Sequence, residues 1–89
     1  MRGTEGNMTV QKAVLTAMED VLGLKQAEMR ENLDLDLFEN SLLDSLGVVT
    51  LINEVEEHIG HKIAIKQIPP QDFLTINRLT AAIEKQIHK

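Results

Sequence analysis

The sequence predicts an all-α fold: a small four-helix bundle of three main helices and one short helix, with a long loop between the first two helices. Three observations carry this. Apolar residues recur at helical spacing in three separate stretches. Each of those stretches opens on Thr or Asp, and the first two close on Gly, which are helix start and stop signals. The remaining alternating segments are too short and too few to pair into a sheet. At 89 residues the chain holds one domain, for which a radius of gyration of about 12 Å is expected.

In the first helix Val10, Val14, Ala17, Met18 and Val21 share a face, Thr9 is the N-cap with Met8 before it, and Gly23 ends the pattern. The connection from Leu24 to Leu43 interleaves Leu33, Leu35, Leu37, Leu42 and Leu43 with acids. Asp and Asn are poor strand residues, so it reads as an extended, partly turn-forming loop pinned to the core by its leucines. Asp44 caps the second main helix, Ser45 to Ile59, whose Leu43 and Val48 have the spacing of a hydrophobic staple and whose stop is Gly60. Ile63 to Lys66 reads as an extended link. Pro70 opens a short helix to about Leu74, because proline fits only a first helical turn. Thr75 caps the last helix, with Leu74 and Leu79 as its staple pair and Ile76, Leu79, Ile83 and Ile87 as its buried stripe.

Charge is unevenly placed. The net charge is −5, yet residues 31–60 hold eight acids and no Lys or Arg, while the rest of the chain carries nine bases and six acids. A negative block of that kind does not suit nucleic acid, and the absence of Trp and Tyr removes a stacking platform for bases. It reads either as a solvated surface or as a docking face for basic partner proteins. Without cysteine there is no disulfide, thiolate zinc site or cysteine nucleophile. No apolar run reaches a membrane span and the first seven residues lack the apolar stretch of a signal peptide, so a cytoplasmic protein with no membrane insertion is expected.

On a helical wheel Val48, Val49, Leu51, Ile52, Val55 and Ile59 occupy an arc of about 160°. Leu46 falls outside it, among Thr50, Asn53, Glu54 and Glu57. It either packs under the preceding loop or stands exposed, ringed by acids, at the positive end of the helix dipole. Ser45 has two readings as well. It is part of an ordinary Asp-Ser cap, or its hydroxyl is a modification site where an attached phosphate would face free N–H groups. Gly60 breaks the helix between His58 and His61, so that pair offers no metal spacing. Asp34 and Asp36 lack the glycine and distant Glu of a calcium loop. A Ser–His–Asp arrangement has no substrate cleft in a bundle this small.

The segment Leu37-Phe38-Glu39-Asn40-Ser41-Leu42-Leu43-Asp44-Ser45-Leu46-Gly47 resembles the acyl carrier proteins, and the resemblance extends over about residues 8–87. Further along, Glu56-Glu57-His58-Ile59-Gly60, Ile63-Ala64-Ile65 and Asp72-Phe73 fit the same family pattern. Within the family the lead-in is most similar to D-alanyl and free-standing aminoacyl or peptidyl carriers. The Gly-Gly-Asp/His-Ser form of multimodular synthetases is absent, and Gly47 stands where fatty acid carriers commonly have an acid.

The resemblance implies 4′-phosphopantetheine on Ser45, with Asp44 as motif residue and cap, and a partner face of Leu46, Val49, Glu54 and Glu57. It implies a carrier without catalysis of its own, holding a carboxylic acid as a thioester. Its partners would be a phosphopantetheinyl transferase, an adenylating ligase or acyltransferase, and an acceptor enzyme. A monomer is expected, with residues 1–7 as a flexible tail and 8–89 as the carrier domain. A fatty acid or polyketide carrier, an unmodified acidic protein-binding module and, last, a small enzyme stand as the other readings.

Overall fold

Capping chemistry sets the ends of the long helices in the computed structural model, which describes residues 9–87. Helix α1 (Val10–Leu22) starts where the Thr9 hydroxyl accepts from the Lys12 N–H at 3.2 Å. It stops at Gly23, whose φ of 73° is left-handed and whose N–H donates to the Glu19 carbonyl. Met8 and the first seven residues lie outside the described residues. After the short α2 (Gln26–Arg30) comes α3 (Ser45–Ile59), capped by Asp44 and ended by Gly60 at φ 66°. The last helix, α4 (Ile76–Ile87), begins at Thr75, whose hydroxyl accepts from the Arg78 N–H at 3.0 Å.

The three long helices meet over one core. α1 packs against both α3 and α4, so its buried surface is wider than a single stripe: Ala13 and Leu15 join Val10, Val14, Ala17 and Met18, while Val21 is only half-buried. From α3 come Val48, Leu51, Ile52 and Val55, and from α4 Ile76, Leu79 and Ile83. These aliphatic residues interlock without aromatic help except from Phe73 and, at the edge, Phe38. The Cα radius of gyration is 12.2 Å, as expected for the chain length.

The two long connections differ from the sequence reading in three places. Residues 24–43 are not loop throughout, because α2 forms there and buries Met29 against the core. One Met amid polar residues leaves no periodicity to read. Ile63 to Lys66 is not simply extended either. Ile65–Gln67 forms a 3-10 turn that lets Ile63 and Ile68, on either side, both reach the core. The short helix after Pro69 is a single 3-10 turn, Pro70–Phe73, ending one residue early.

Both connections are tied down. The Leu37 N–H donates to the Leu74 carbonyl at 2.7 Å, and the Asn77 N–H donates to the Leu33 carbonyl at 3.1 Å. Asn77 also donates from its side chain to Asp34 at 2.8 Å. On the other side the Gln86 amide exchanges two hydrogen bonds with the Ala64 backbone. Four of the five leucines read from the first connection reach the core, with Leu37 and Leu43 buried and Leu33 and Leu42 packed against it, whereas Leu35 is half-buried outside that cluster. Among the described residues no helix is long and apolar enough to cross a membrane.

Candidate functional site

The site is built at the start of α3 by a turn that aims the chain into the helix. The Asp36 carboxylate accepts from the Glu39 N–H at 2.8 Å. Ser41 takes a left-handed φ of 59°, which folds the chain back so that the Leu42 and Leu43 N–H groups both donate to the Leu37 carbonyl, at 2.8 and 3.2 Å. Leu37 is itself fully buried, so the turn is anchored in the core. Asp34 and Asp36 therefore hold backbone and side-chain partners in place.

Asp44 follows in extended conformation and its carboxylate accepts from the Gly47 N–H at 2.7 Å. Leu43 and Val48, on either side of this cap, are both buried, as a hydrophobic staple requires. Gly47 sits in a tight spot that the sequence reading missed. A Cβ there would lie 3.1 Å from the Asp44 carboxylate oxygen, 3.3 Å from Leu43 Cδ1 and 3.7 Å from Leu22 Cδ2. The Asp44 and Leu43 side chains are the tight neighbours and would have to give by a few tenths of an ångström, whereas Leu22 at the end of α1 is at ordinary contact distance. Its one sequence signal is a glycine inside a helix with no turn to make, at a propensity cost of about 1 kcal/mol.

Ser45 is the first residue of α3 and is exposed. Among the described residues the N–H groups of Ser45 and Leu46 have no protein acceptor, so the positive end of the helix faces solvent beside the hydroxyl. Ser45 also lines an open groove of about 520 Å³. Phe38, Val48, Val49, Ile65, Ile68 and Phe73 give the groove apolar walls and Lys66 adds a cation. An exposed hydroxyl at a helix N-terminus, next to free N–H groups and an open apolar groove, fits a phosphodiester-linked flexible arm.

Leu46 does not pack under the loop. It is 82% exposed, and Val49, placed by the wheel in the apolar arc, is 48% exposed beside the groove. Together they form an apolar contact next to Ser45. Glu57 is exposed and lies close to Leu46 in rotation about the helix axis. Glu54 is placed differently. It is turned toward α1 and half-buried, with its Oε2 3.6 Å from His58 Nε2. The structure thus brings Asp44, Ser45, Leu46 and Val49 together, leaves Glu57 two helical turns or more away on the same face, and sets Glu54 to one side.

The family model of the phosphopantetheine attachment site matches residues 12–83. The chain belongs to that family. Its prosthetic group is accordingly 4′-phosphopantetheine. The chain is also similar to the D-alanyl carrier protein of Lacticaseibacillus rhamnosus, at 32% identity over 85% of this chain and 91% of the relative. It is similar to that of Enterococcus faecalis, at 41% identity over 74% of this chain and 76% of the relative. A third relative, the D-alanyl carrier protein of Streptococcus uberis, is 34% identical over 88% of this chain and 95% of its own length. No solved structure matches the chain significantly. Membership of this family makes the chain a phosphopantetheine-bearing carrier rather than an unmodified binding module.

Proposed function

We propose that Ser45 is the attachment point of the phosphopantetheine arm and that the cargo is a small amino acid of the D-alanine class. The observation that carries the site is the exposed Ser45 at the open N-terminus of α3, held in an Asp44-capped first turn. The similarity to D-alanyl carrier proteins over most of both chains supports the cargo.

When bound, the arm supplies the terminal thiol, and hence the thioester link to a carboxylic acid, that this cysteine-free chain lacks. The rest falls to the protein's own residues. Asp44 fixes the first turn by accepting the Gly47 N–H, which holds the Ser45 hydroxyl on an ordered surface. The free N–H groups of Ser45 and Leu46 favour negative charge at that hydroxyl. Leu46 and Val49 offer an apolar contact to enzymes that must reach Ser45, and Glu57 adds a charge that orients them.

In this reading the chain catalyses nothing. It works as a cytoplasmic monomer between a phosphopantetheinyl transferase, an adenylating ligase or acyltransferase, and an acceptor enzyme, with tethering raising the local concentration of cargo. A small polar cargo suits the packing as well. The groove beside Ser45 is open, and the core residues Leu51, Ile52, Ile76 and Leu79 are fully buried, so a long alkyl chain taken into the bundle would have to part such a core.

Two measurements by intact mass test this. Incubation with coenzyme A and a phosphopantetheinyl transferase is expected to add one arm to the chain and none to Ser45→Ala. Equal labelling of the variant would move the site elsewhere. Carrier isolated from its own host with the thioester preserved is expected to bear an amino acid; long alkyl chains would overturn the cargo and leave the attachment site standing.

A further inference from the structure

We propose that Asp20, Glu54 and His58 form a binding site for one divalent transition-metal ion, of the Zn²⁺ class, bridging α1 and α3. The observation that prompts it is His58. Its Nε2 is shielded from solvent and has no hydrogen-bond partner among the described residues, an arrangement that costs free energy unless something satisfies the nitrogen.

What faces that nitrogen is two carboxylates. Glu54 Oε2 lies 3.6 Å away, one helical turn back on α3, and Asp20 Oδ2 lies 3.7 Å away on α1. Both distances are too long for a hydrogen bond. They are close to the spacing of about 3.3–3.4 Å that two donor atoms take around a tetrahedral Zn²⁺ with bonds of about 2.0–2.1 Å. The donor atoms of all three residues lie within 4.8 Å of one another, so a small inward movement of the side chains closes the set.

The donor set selects the ion. One imidazole with two carboxylates suits Zn²⁺, Co²⁺ or Ni²⁺, whereas Ca²⁺ and Mg²⁺ prefer six or more oxygens. Three protein donors leave one position for water. The site is reachable, since the Asp20 side chain is 53% exposed and that of His58 is 25% exposed. Two of the ligands share one rigid helix and the third stands on its neighbour, so little order must be imposed on binding.

Sequence spacing alone does not bring these three residues together. His61, the neighbour that sequence spacing offers His58, lies beyond the helix stop and its Nδ1 is 3.1 Å from the Lys62 carbonyl oxygen. The site's α3 residues sit about 14–20 Å along the helix from Ser45, at about 1.5 Å per residue. A bound ion would lock α1 to the far half of α3, and arm attachment at Ser45 would proceed as before.

The test uses the untagged full chain, freed of metal by chelation, with Zn²⁺ alone and then Co²⁺ alone. Calorimetry is expected to show one equivalent of Zn²⁺ bound, with Tm raised by about 5–10 °C in excess ion. Mg²⁺ at the same concentration is expected to shift Tm far less, and Co²⁺ to show a visible spectrum with a nitrogen ligand. His58→Gln and Asp20→Asn should each abolish the saturable binding. Asp20 is exposed, so its variant keeps the fold, and it should accept phosphopantetheine as the unaltered chain does. Absence of saturable Zn²⁺ binding, undiminished binding in either folded variant, or equal stabilisation by Mg²⁺ through charge screening would each overturn the site.

Discussion

The two ends of α3 are treated in opposite ways. At the start, Leu46 and Val49 stand exposed and two N–H groups face solvent. At the finish, Gly60 turns left-handed and returns its N–H to the Glu56 carbonyl at 2.8 Å. The Glu56 carboxylate then accepts the Ile63 N–H at 2.7 Å, which fastens the outgoing chain to the helix. The contrast separates two uses of one element. Solvent satisfies the open N–H groups, and the exposed apolar side chains add little to folding; both gather beside the Ser45 hydroxyl, where the proposed attachment needs access. The far end, with no such duty, is closed.

The largest test of this contrast removes what the two ends share. Ile52 is fully buried in the middle of α3. Ile52→Ala is expected to cost about 2–5 kcal/mol, a large part of the stability of a domain this small. Urea unfolding followed by circular dichroism would read it. Labelling of Ser45 should fall in step with the folded fraction, because both ends depend on the same core. Full labelling of a melted chain would mean that the first turn of α3 is dispensable for recognition.

How far the sequence could be read follows the same division. Caps and stripes are local, so Thr9, Asp44, Gly60 and Thr75 marked the long helices and Ser45–Ile59 emerged with its bounds. The proposed attachment motif is legible for the same reason, since Asp44, Ser45 and Leu46 are adjacent in the chain. What stayed hidden depends on residues far apart. Gly47 sits close under the Asp44 carboxylate and the Leu43 side chain, with Leu22 of α1 in contact behind them. Glu54 is half-buried because His58 and Asp20 lie beside it. The turn at Ile65–Gln67 exists because Ile63 and Ile68 share a core, and α2 because Met29 finds one. None of these pairings leaves a mark on local periodicity.

A smaller effect isolates the open end. Asp44→Ala removes the acceptor of the Gly47 N–H. The expected loss is about 1 kcal/mol. The rate of Ser45 labelling should drop more than that loss of stability accounts for, since the first turn frays where the transferase must act. Asp44→Asn retains a capping oxygen and should recover most of the stability. Labelling of Asp44→Ala at the unaltered rate would show that the cap serves folding only.

The smallest change in stability, and the sharpest question, concerns the side chains on the exposed face. Leu46 is 82% exposed, so Leu46→Ala should leave Tm within the narrow range of surface substitutions. If its apolar surface is buried by a docking enzyme, removing it should lower kcat/KM for the transferase by about tenfold. That loss should be nearly independent of salt, because no charge is involved. Glu57 is exposed on the same face. Glu57→Lys should lower kcat/KM only a few-fold, and the loss should shrink as salt screens it. Glu54→Lys gives the contrast: it meets His58 and α1 rather than solvent alone, so its first effect should be on Tm. Equal turnover by the folded Leu46 and Glu57 variants would place the partner contact on another surface and leave the exposure of Leu46 without a use.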